Sequence, residues 1–429
     1  MTKGKPSGDW LERMRALLGA MDNPQDAYPI IHIGGTAGKG STATIAAKIL
    51  QTAGYKTGLH TSPHLEDIRE RAIVNGVLMD EAEFVRLTKI VKEAADRVSA
   101  EYSYGAPTYF ESLVALSFQH FKDEMVDVAV VEVGLGGKLD ATNIVKSKVA
   151  VLTNVGLDHT EILGDTVEKI AADKVCIFKE GTDVVSGVTQ PSVIRIVEDK
   201  AAEMNCRLDL LGRDIKYFPG DQSFPKNMFD LEIRGRHYDG MVTGLIGEYQ
   251  IRNSALAIDA VSKMEQFGFA VSDDAVRNAL LDVVVPGRFE IIGSNPTIIL
   301  DGAHNEMKMK AFIEAFEGMR NGNRLRVVFA AKRDKDVKTM ISILSEVADK
   351  FYFTKFQAVT DFGKRMSFDP LELQKACATS SAVIDDAVDA YKMAFAEAGK
   401  DDIICITGSL YLVGEIRSAI VNARAHNTL

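Results

Sequence analysis

From residue 30 onward the chain alternates short apolar runs with segments whose apolar positions repeat at helical spacing. Ile30–Ile33 reads as a strand and the segment after Gly40 as a helix. Val126–Val133 and Val149–Thr153 are further strand-like runs, and the helix-period stretch Tyr109–Phe121 precedes them. Nearly unbroken apolar runs separated by helices predict a mostly parallel sheet covered on both faces. After about residue 205 the rhythm changes. Phe229–Ile233 and His237–Val242 alternate apolar with polar positions, the pattern of a small antiparallel appendage with one solvated face. Helical periodicity returns at Asn253–Phe267. A second α/β series follows: strand Thr297–Leu300, a helix from Asn305, strand Arg326–Phe329, a helix from Val337, and strands Phe351–Thr354 and Ile403–Thr407. Pro286 and Gly287 interrupt the pattern, which places a boundary near Val284. The expected architecture is α/β: an N-terminal P-loop-type domain over 1–284, mostly parallel with flanking helices and the antiparallel appendage, then a smaller Rossmann-like domain over 285–429.

A length of 429 residues is compatible with two or three domains. The net charge of -10 and the absence of a basic run argue against a nucleic-acid surface, so an anionic small substrate requires basic residues gathered locally by the fold. Cys176, Cys206, Cys377 and Cys405 are widely spaced and form no C-x-x-C pair; reduced thiols are expected, with neither a zinc site nor a disulfide framework. The N-terminal stretch MTKGKPSGDWLERM has no apolar leader core, and no run reaches the ~20 apolar residues that span a bilayer. A cytoplasmic protein with no membrane partner is the expectation.

The strand Ile30–Ile33 runs into GTAGKGS, Gly35–Ser41, which delivers Lys39 at a helix start. A glycine-rich turn there aims backbone N–H groups and the positive end of the helix dipole at one point, a site for phosphate. The usual Walker spacing wants a glycine where Ile33 stands, so the match is to a shorter variant. A plain strand-to-helix turn is the alternative. Farther on, VVEVGLGGKLDATN ends a buried-type strand in Glu132, at the sheet edge where open α/β sheets bind ligands. Glu132 and the Ser41 hydroxyl form a sensible oxygen pair for Mg²⁺, against the alternative of a turn or cap carboxylate. The next strand ends in TNVGLDH. It places His159 at the same edge, as a metal ligand or as a structural histidine. Lys174, in IAADKVCI, reads by itself as a solvated helix lysine.

Taken together, GTAGKGS, SPHL (Ser62–Leu65), TYFE (Thr108–Glu111), EVGLGGKLDATN (Glu132–Asn143), LDH (Leu157–His159), ADKVCI (Ala172–Ile177), PGRFE (Pro286–Glu290), DGAHN (Asp301–Asn305), DKDV (Asp334–Val337) and GSLYLVGEIR (Gly408–Arg417) resemble the folylpolyglutamate synthase/dihydrofolate synthase family of the Mur ligase superfamily, in order and over nearly the whole chain. The resemblance implies an ATP-dependent acid–amino-acid ligase that adds L-glutamate to a folate or dihydropteroate carboxylate. By similarity, Gly38, Lys39, Gly40 and Ser41 bind the ATP phosphates, and Asn253, Arg288 and Asp301 complete the nucleotide site. Ser41, Ser62, Glu132 and His159 would hold magnesium. Lys174 falls at the family's carbamoylated lysine, which helps hold a second ion and displaces the surface-lysine reading. Thr108, Tyr109, Phe110 and Glu111, with Leu139, Asp140 and Ala141, fall on the pterin side; His304 and Ser409 fall on the glutamate side. Lys39, Lys174 and His304 are the implied catalytic residues. A monomer is expected, as is closure of the two domains to assemble the site. The open alternative is a superfamily ligase acting on another carboxylated cofactor or a cell-wall precursor.

The chain departs from the family pattern at several places. Ala37 stands for Asn, Lys138 for Arg, Tyr249 for His, Val175-Cys176 for Ala-Gly, and Glu306 for Pro. Lys138 exchanges a bidentate fork for a point charge, and Tyr249 bears on the adenine side. No implied metal or phosphate ligand is lost.

Overall fold

The computed structural model describes residues 9–103, 105–221, 226–320, 322–360 and 363–425. Residues 1–8, part of the N-terminal stretch quoted above, lie outside them.

Eight strands form the larger sheet: β1 (Ile30–Gly34), β2 (Thr57–His60), β3 (Ile73–Val74), β4 (Val77–Leu78), β5 (Val128–Glu132), β6 (Val149–Leu152), β7 (Asp183–Ser186) and β8 (Arg207–Leu210), in the order β4-β3-β2-β5-β1-β6-β7-β8. β2, β5, β1, β6, β7 and β8 are parallel. β3 and β4 extend one edge as an antiparallel hairpin turned by Asn75 and Gly76 at φ 49° and 75°. Two positive φ values in succession are what a type I′ turn requires and Asn-Gly supplies. β1, β5 and β6 are buried at every position. Ile31, Ile33, Val128 and Val130 join one core with helices Lys39–Thr52 and Glu248–Ser262; Ile30, Ala129 and Val131 join the other with helices Asp9–Gly19, Glu81–Glu101 and Tyr109–Asp123. The period-two split sends adjacent apolar residues to opposite faces, which is why these strands read as unbroken apolar runs.

A three-stranded antiparallel sheet, β9 (Ile215–Pro219), β10 (Asn227–Ile233) and β11 (Arg236–Thr243), lies against the first of these cores. Its inward residues Phe229, Leu231 and Ile233 are buried, while the positions between them are more open. The smaller α/β unit has six strands, β12 (Glu290–Ser294), β13 (Thr297–Leu300), β14 (Leu325–Phe329), β15 (Lys350–Phe353), β18 (Ser381–Val383) and β19 (Ile403–Thr407), in the order β12-β13-β19-β14-β15-β18. A separate hairpin, β16 (Gln357–Thr360) and β17 (Gly363–Met366), interrupts their sequence numbering. β12 is the antiparallel edge; the others are parallel. Helices Glu306–Glu317 and Val337–Ser345 cover one face through Phe312, Phe316, Met340 and Ile341, and helices Ala387–Glu397 and Leu410–Ala425 cover the other through Tyr391, Leu412 and Ile416.

Several expectations are corrected in detail. The helix expected from Asn253 begins at Glu248, just after Gly247 at φ 96°, and tightens to 3₁₀ over Lys263–Phe267. The strand expected over Val126–Val133 is confined to Val128–Glu132. The four cysteines are free, Cys405 being buried in β19. No helix among the described residues is long and apolar enough to cross a membrane.

The chain leaves β1 for β2 on one side and returns as β6 on the other, with β5 inserted next to β1. The carboxyl end of β1 is therefore a topological switch point, the place where open α/β sheets leave a crevice for ligands.

Candidate functional site

At that crevice Gly38 is the N-cap of helix Lys39–Thr52, with φ 78° and no side-chain cap. The first N–H groups of the helix have no intrahelical acceptor and are presented to an anion. The residues ahead of the cap are tied to the end of β6. Thr36 N donates to Asn154 O at 3.0 Å, Ala37 N donates to Asn154 Oδ1 at 2.9 Å, and Thr153 Oγ1 donates to Ala37 O at 2.6 Å. Ala37 thus serves through its backbone, and the departure from Asn removes no cradle donor. Glycine is required twice: a Cβ on Gly35 would stand 2.0 Å from Thr153 Oγ1, and one on Gly38 would stand 2.4 Å from Asn253 Oδ1. The second approach brings the predicted nucleotide residue Asn253 to the loop; its side chain is held by Gln250 at 2.9 Å.

Glu132 ends β5 with its carboxylate beside the same helix start, 3.4 Å from where a Gly40 Cβ would lie. Its Oε2 accepts the Ser62 N–H at 2.9 Å. Burial raises its pKa, opposed by Lys39, the Ser62 amide and Arg288. Ser41 is buried at the same place. His159 sits at φ 50°, partly exposed, with Asp158 at 3.9 Å and Glu161 at 4.0 Å. Among the described residues no three His, Cys, Asp or Glu side chains converge on one point, so a metal here depends on hydroxyls and a bound phosphate to complete its shell.

Lys174 is not a surface lysine. It is 3% exposed, and its Nζ donates to Gly35 O at 3.0 Å beneath the phosphate loop. Burial, then the nearby charge of Lys39, brings its pKa down to about 7. Gly136 and Gly137 explain how it is buried: a Cβ at Gly137 would come within 2.8 Å of Lys174 Cα, so only glycine lets that loop close over the helix end.

The smaller α/β unit supplies the opposite wall. Asp301 accepts Phe289 N and Ala303 N, both at 2.8 Å, and this folds Arg288 against the DGAHN turn. His304 donates from Nδ1 to Gly302 O at 2.8 Å, leaving Nε2 to accept from Lys308 Nζ at 3.0 Å. Burial and the adjacent cations hold the imidazole neutral, its pKa well below the usual value. Asp158 crosses from the larger unit to meet Lys335 at 3.6 Å and Asn305 at 3.4 Å. Leu65 of SPHL presses on Gly414, and Arg417 pairs with Glu66, so both ends of the crevice are bridged. A chain of net charge -10 therefore gathers Lys39, Arg288, Lys308 and Lys335 around one cleft.

Two family models match the chain, the Mur ligase middle domain over residues 33–261 and the Mur ligase glutamate ligase domain over residues 287–410. The Bacillus subtilis protein named dihydrofolate synthase/folylpolyglutamate synthase is 33% identical over 96% of this chain and 94% of its own length. The chain belongs to the dihydrofolate synthase/folylpolyglutamate synthase family of Mur ligases. Among solved structures, Escherichia coli FolC in complex with DHPP and ADP superposes with a TM-score of 0.86 at 27% identity, covering 96% of this chain and 93% of that one. The bifunctional folylpolyglutamate synthase/dihydrofolate synthase of Yersinia pestis, complexed with AMPPNP and Mn ion, gives 0.84 at 28% identity, covering 98% and 95%.

Within this Mur ligase framework the remaining predicted residues divide by what their side chains do. Thr108 and Glu111 form a capping box at the start of helix Tyr109–Asp123, and both oxygens of Glu111 are also held by Arg13 at 2.9 Å. Both Glu111 oxygens are thus engaged within the fold, Tyr109 is exposed, and Phe110 is half-buried against Gly134 and the His60 ring. Asp140 is similarly occupied: it caps Ala141–Ile144 and accepts Leu135 N at 2.9 Å, which shapes the loop carrying Leu139 and Ala141. Lys138 is exposed on that loop. Ser409 is buried beside the DGAHN turn, since Gly408 N donates to Ala303 O at 3.0 Å. Tyr249 lies near Asp301 and Arg288, where burial raises its pKa. The motifs contained Asp158 and Lys335 without giving either a role, and Lys308 carried no motif signal.

Proposed function

We propose that this chain activates a folate or dihydropteroate carboxylate with ATP and joins it to L-glutamate, with residues 1–284 and 285–429 as the two lobes that close on the substrates. The observation that carries this reading is the facing of two cationic walls: the phosphate loop with Lys39, beside Glu132, on one side, and Arg288 with Lys308, the latter held by the neutral His304, on the other. The substrate carboxylate attacks the γ-phosphorus, forming an acyl phosphate as ADP leaves. The glutamate amine then attacks the acyl carbon and expels phosphate. The protein's part is positioning and charge neutralisation by Lys39 and the loop amides. Closure of the cleft excludes water that would hydrolyse the acyl phosphate. Ser41, Ser62, Glu132 and His159 offer the hard oxygen and imidazole donors suited to Mg²⁺ beside a triphosphate. Such an ion offsets phosphate charge and polarises the phosphoryl group. The site is built from one chain, which supports a monomer, acting in the cytoplasm.

Labelled glutamate incorporation tests this, with dihydropteroate and tetrahydrofolate offered beside unrelated carboxylated acceptors. Incorporation requiring ATP and one of the two pterins is expected; incorporation only with another acceptor would assign a different Mur ligase substrate. In the same assay Glu132→Gln is expected to lower turnover by about tenfold to a hundredfold at ordinary magnesium, with partial recovery at raised magnesium. An unchanged magnesium dependence would remove Glu132 from the metal shell.

A further inference from the structure

Lys308 lies at the start of helix Glu306–Glu317, on a stretch, EMKMK, that reads as an ordinary solvated helix face. The structure turns its ammonium into the cleft instead. The helix is docked there by contacts around it: Asn305 caps it through Lys308 N at 3.0 Å and reaches Asp158 at 3.4 Å, while Met307 Sδ stands 3.3 Å from where a Gly156 Cβ would lie. Gly156 is itself bonded to Thr36, whose hydroxyl accepts its N–H at 3.0 Å. A short chain of contacts therefore runs from the phosphate loop to the first turn of this helix. Lys308 Nζ has three N–H donors, and it bonds the single lone pair of His304 Nε2 at 3.0 Å. Around it stand Arg288, Lys39 and Lys335, with Asp158 as the opposing charge. Three more cations about a partly buried ammonium repel one another, and a ligand carrying several negative charges relieves that repulsion.

We propose that Lys308 is a second phosphoryl grip, binding the γ-phosphate of ATP, and then the transferred phosphoryl group, from the side opposite Lys39. The proposal rests on the ligase reading above. In the transfer, a carboxylate oxygen–phosphorus bond forms as the γ-phosphorus–bridging oxygen bond breaks, and ADP departs with the electron pair. Lys308 exchanges no proton in this step; it donates hydrogen bonds to the equatorial oxygens while His304 holds the ammonium in line. Because the group comes from the C-terminal half, it also makes lobe closure sensitive to whether a third phosphate is present.

The test is calorimetric binding of AMPPNP and ADP, with magnesium, to the wild-type chain and to Lys308→Met, Lys308→Gln and Lys308→Arg. Two neutral variants of different polarity are used so that one poorly folded protein does not decide the result. Both are expected to bind AMPPNP at least about tenfold more weakly while ADP affinity changes by less than about twofold, the size of a lost charge-assisted hydrogen bond. Turnover falls by about a hundredfold with the KM for glutamate unmoved, and Lys308→Arg recovers most of the AMPPNP affinity. Equal weakening of ADP and AMPPNP would overturn the proposal. So would unchanged AMPPNP binding with a raised KM for glutamate, which would place Lys308 on the amino-acid side. A wild-type protein that binds neither nucleotide would instead bring down the ligase reading itself.

Discussion

Lys39→Ala is expected to end ATP-dependent ligation, lowering turnover by about a thousandfold or more, while the protein stays folded. Lys39 is only partly buried and opens the helix Lys39–Thr52, whose packing is carried by Ala43, Ile45, Ala46, Ile49 and Leu50 in the core behind it. Alanine is also a strong helix former, so truncation leaves the loop's ties to Asn154 and Thr153 in place. What is lost is a full charge aimed where negative charge is transferred, in a cleft that the open helix N-terminus alone cannot neutralise. Turnover, nucleotide affinity and thermal melting should be measured together. Near-wild-type turnover with an unchanged melt would return Gly35–Ser41 to a plain strand-to-helix turn, and a collapsed melt would mean that Lys39 is structural.

The phosphate loop was legible because its parts are adjacent in sequence: strand, glycines, lysine and helix follow one another. Glu132 was legible for a related reason, since it ends a strand of the same parallel sheet and parallel strands end at one edge; His159 stands seven residues beyond the end of β6, at the start of helix Thr160–Leu163. The side chains set by packing between distant segments were not legible. Lys174 has the local pattern of a solvated helix residue, and its burial follows from Gly136 and Gly137 approaching across the loop. The two glycines were visible, but nothing local says what closes over them. Lys308 repeats the lesson at the other wall, where its orientation depends on Asp158 and Gly156 of the opposite lobe. Glu111 and Asp140 have a part in the fold that motif position alone did not show. Motif position suggested ligand contact, and the structure adds that their oxygens accept hydrogen bonds from Arg13, Thr108, Leu135 and Thr142. Among the elements, β12 and β18 are only partly buried edge strands and lack the dense apolar runs that marked β13, β14 and β19.

Lys174→Ala is the second change expected to remove most activity, and it separates two uses of the same buried nitrogen. In one, unmodified Lys174 braces the phosphate loop through Gly35 O; in the other, it carries a carbamate that helps bind a second magnesium. A lysine 3% exposed, near Lys39 and with a pKa of about 7, is a poor permanent cation. Near neutral pH a large share is free amine, the form that adds to carbon dioxide, and that share grows as pH rises through about 7. Loss of about a hundredfold or more in turnover is expected on truncation. If the carbamate operates, short carboxylic acids should restore part of it by occupying the vacated space with an oxygen anion. Labelled bicarbonate should then give a carbamate signal in the wild-type protein that strengthens above neutral pH and is missing from the variant. Lys174→Arg, which keeps a charge but presents no free amine, should be neither active nor rescued. Loss of activity without rescue or signal would assign Lys174 to bracing the loop, and full activity in Lys174→Ala would exclude both roles.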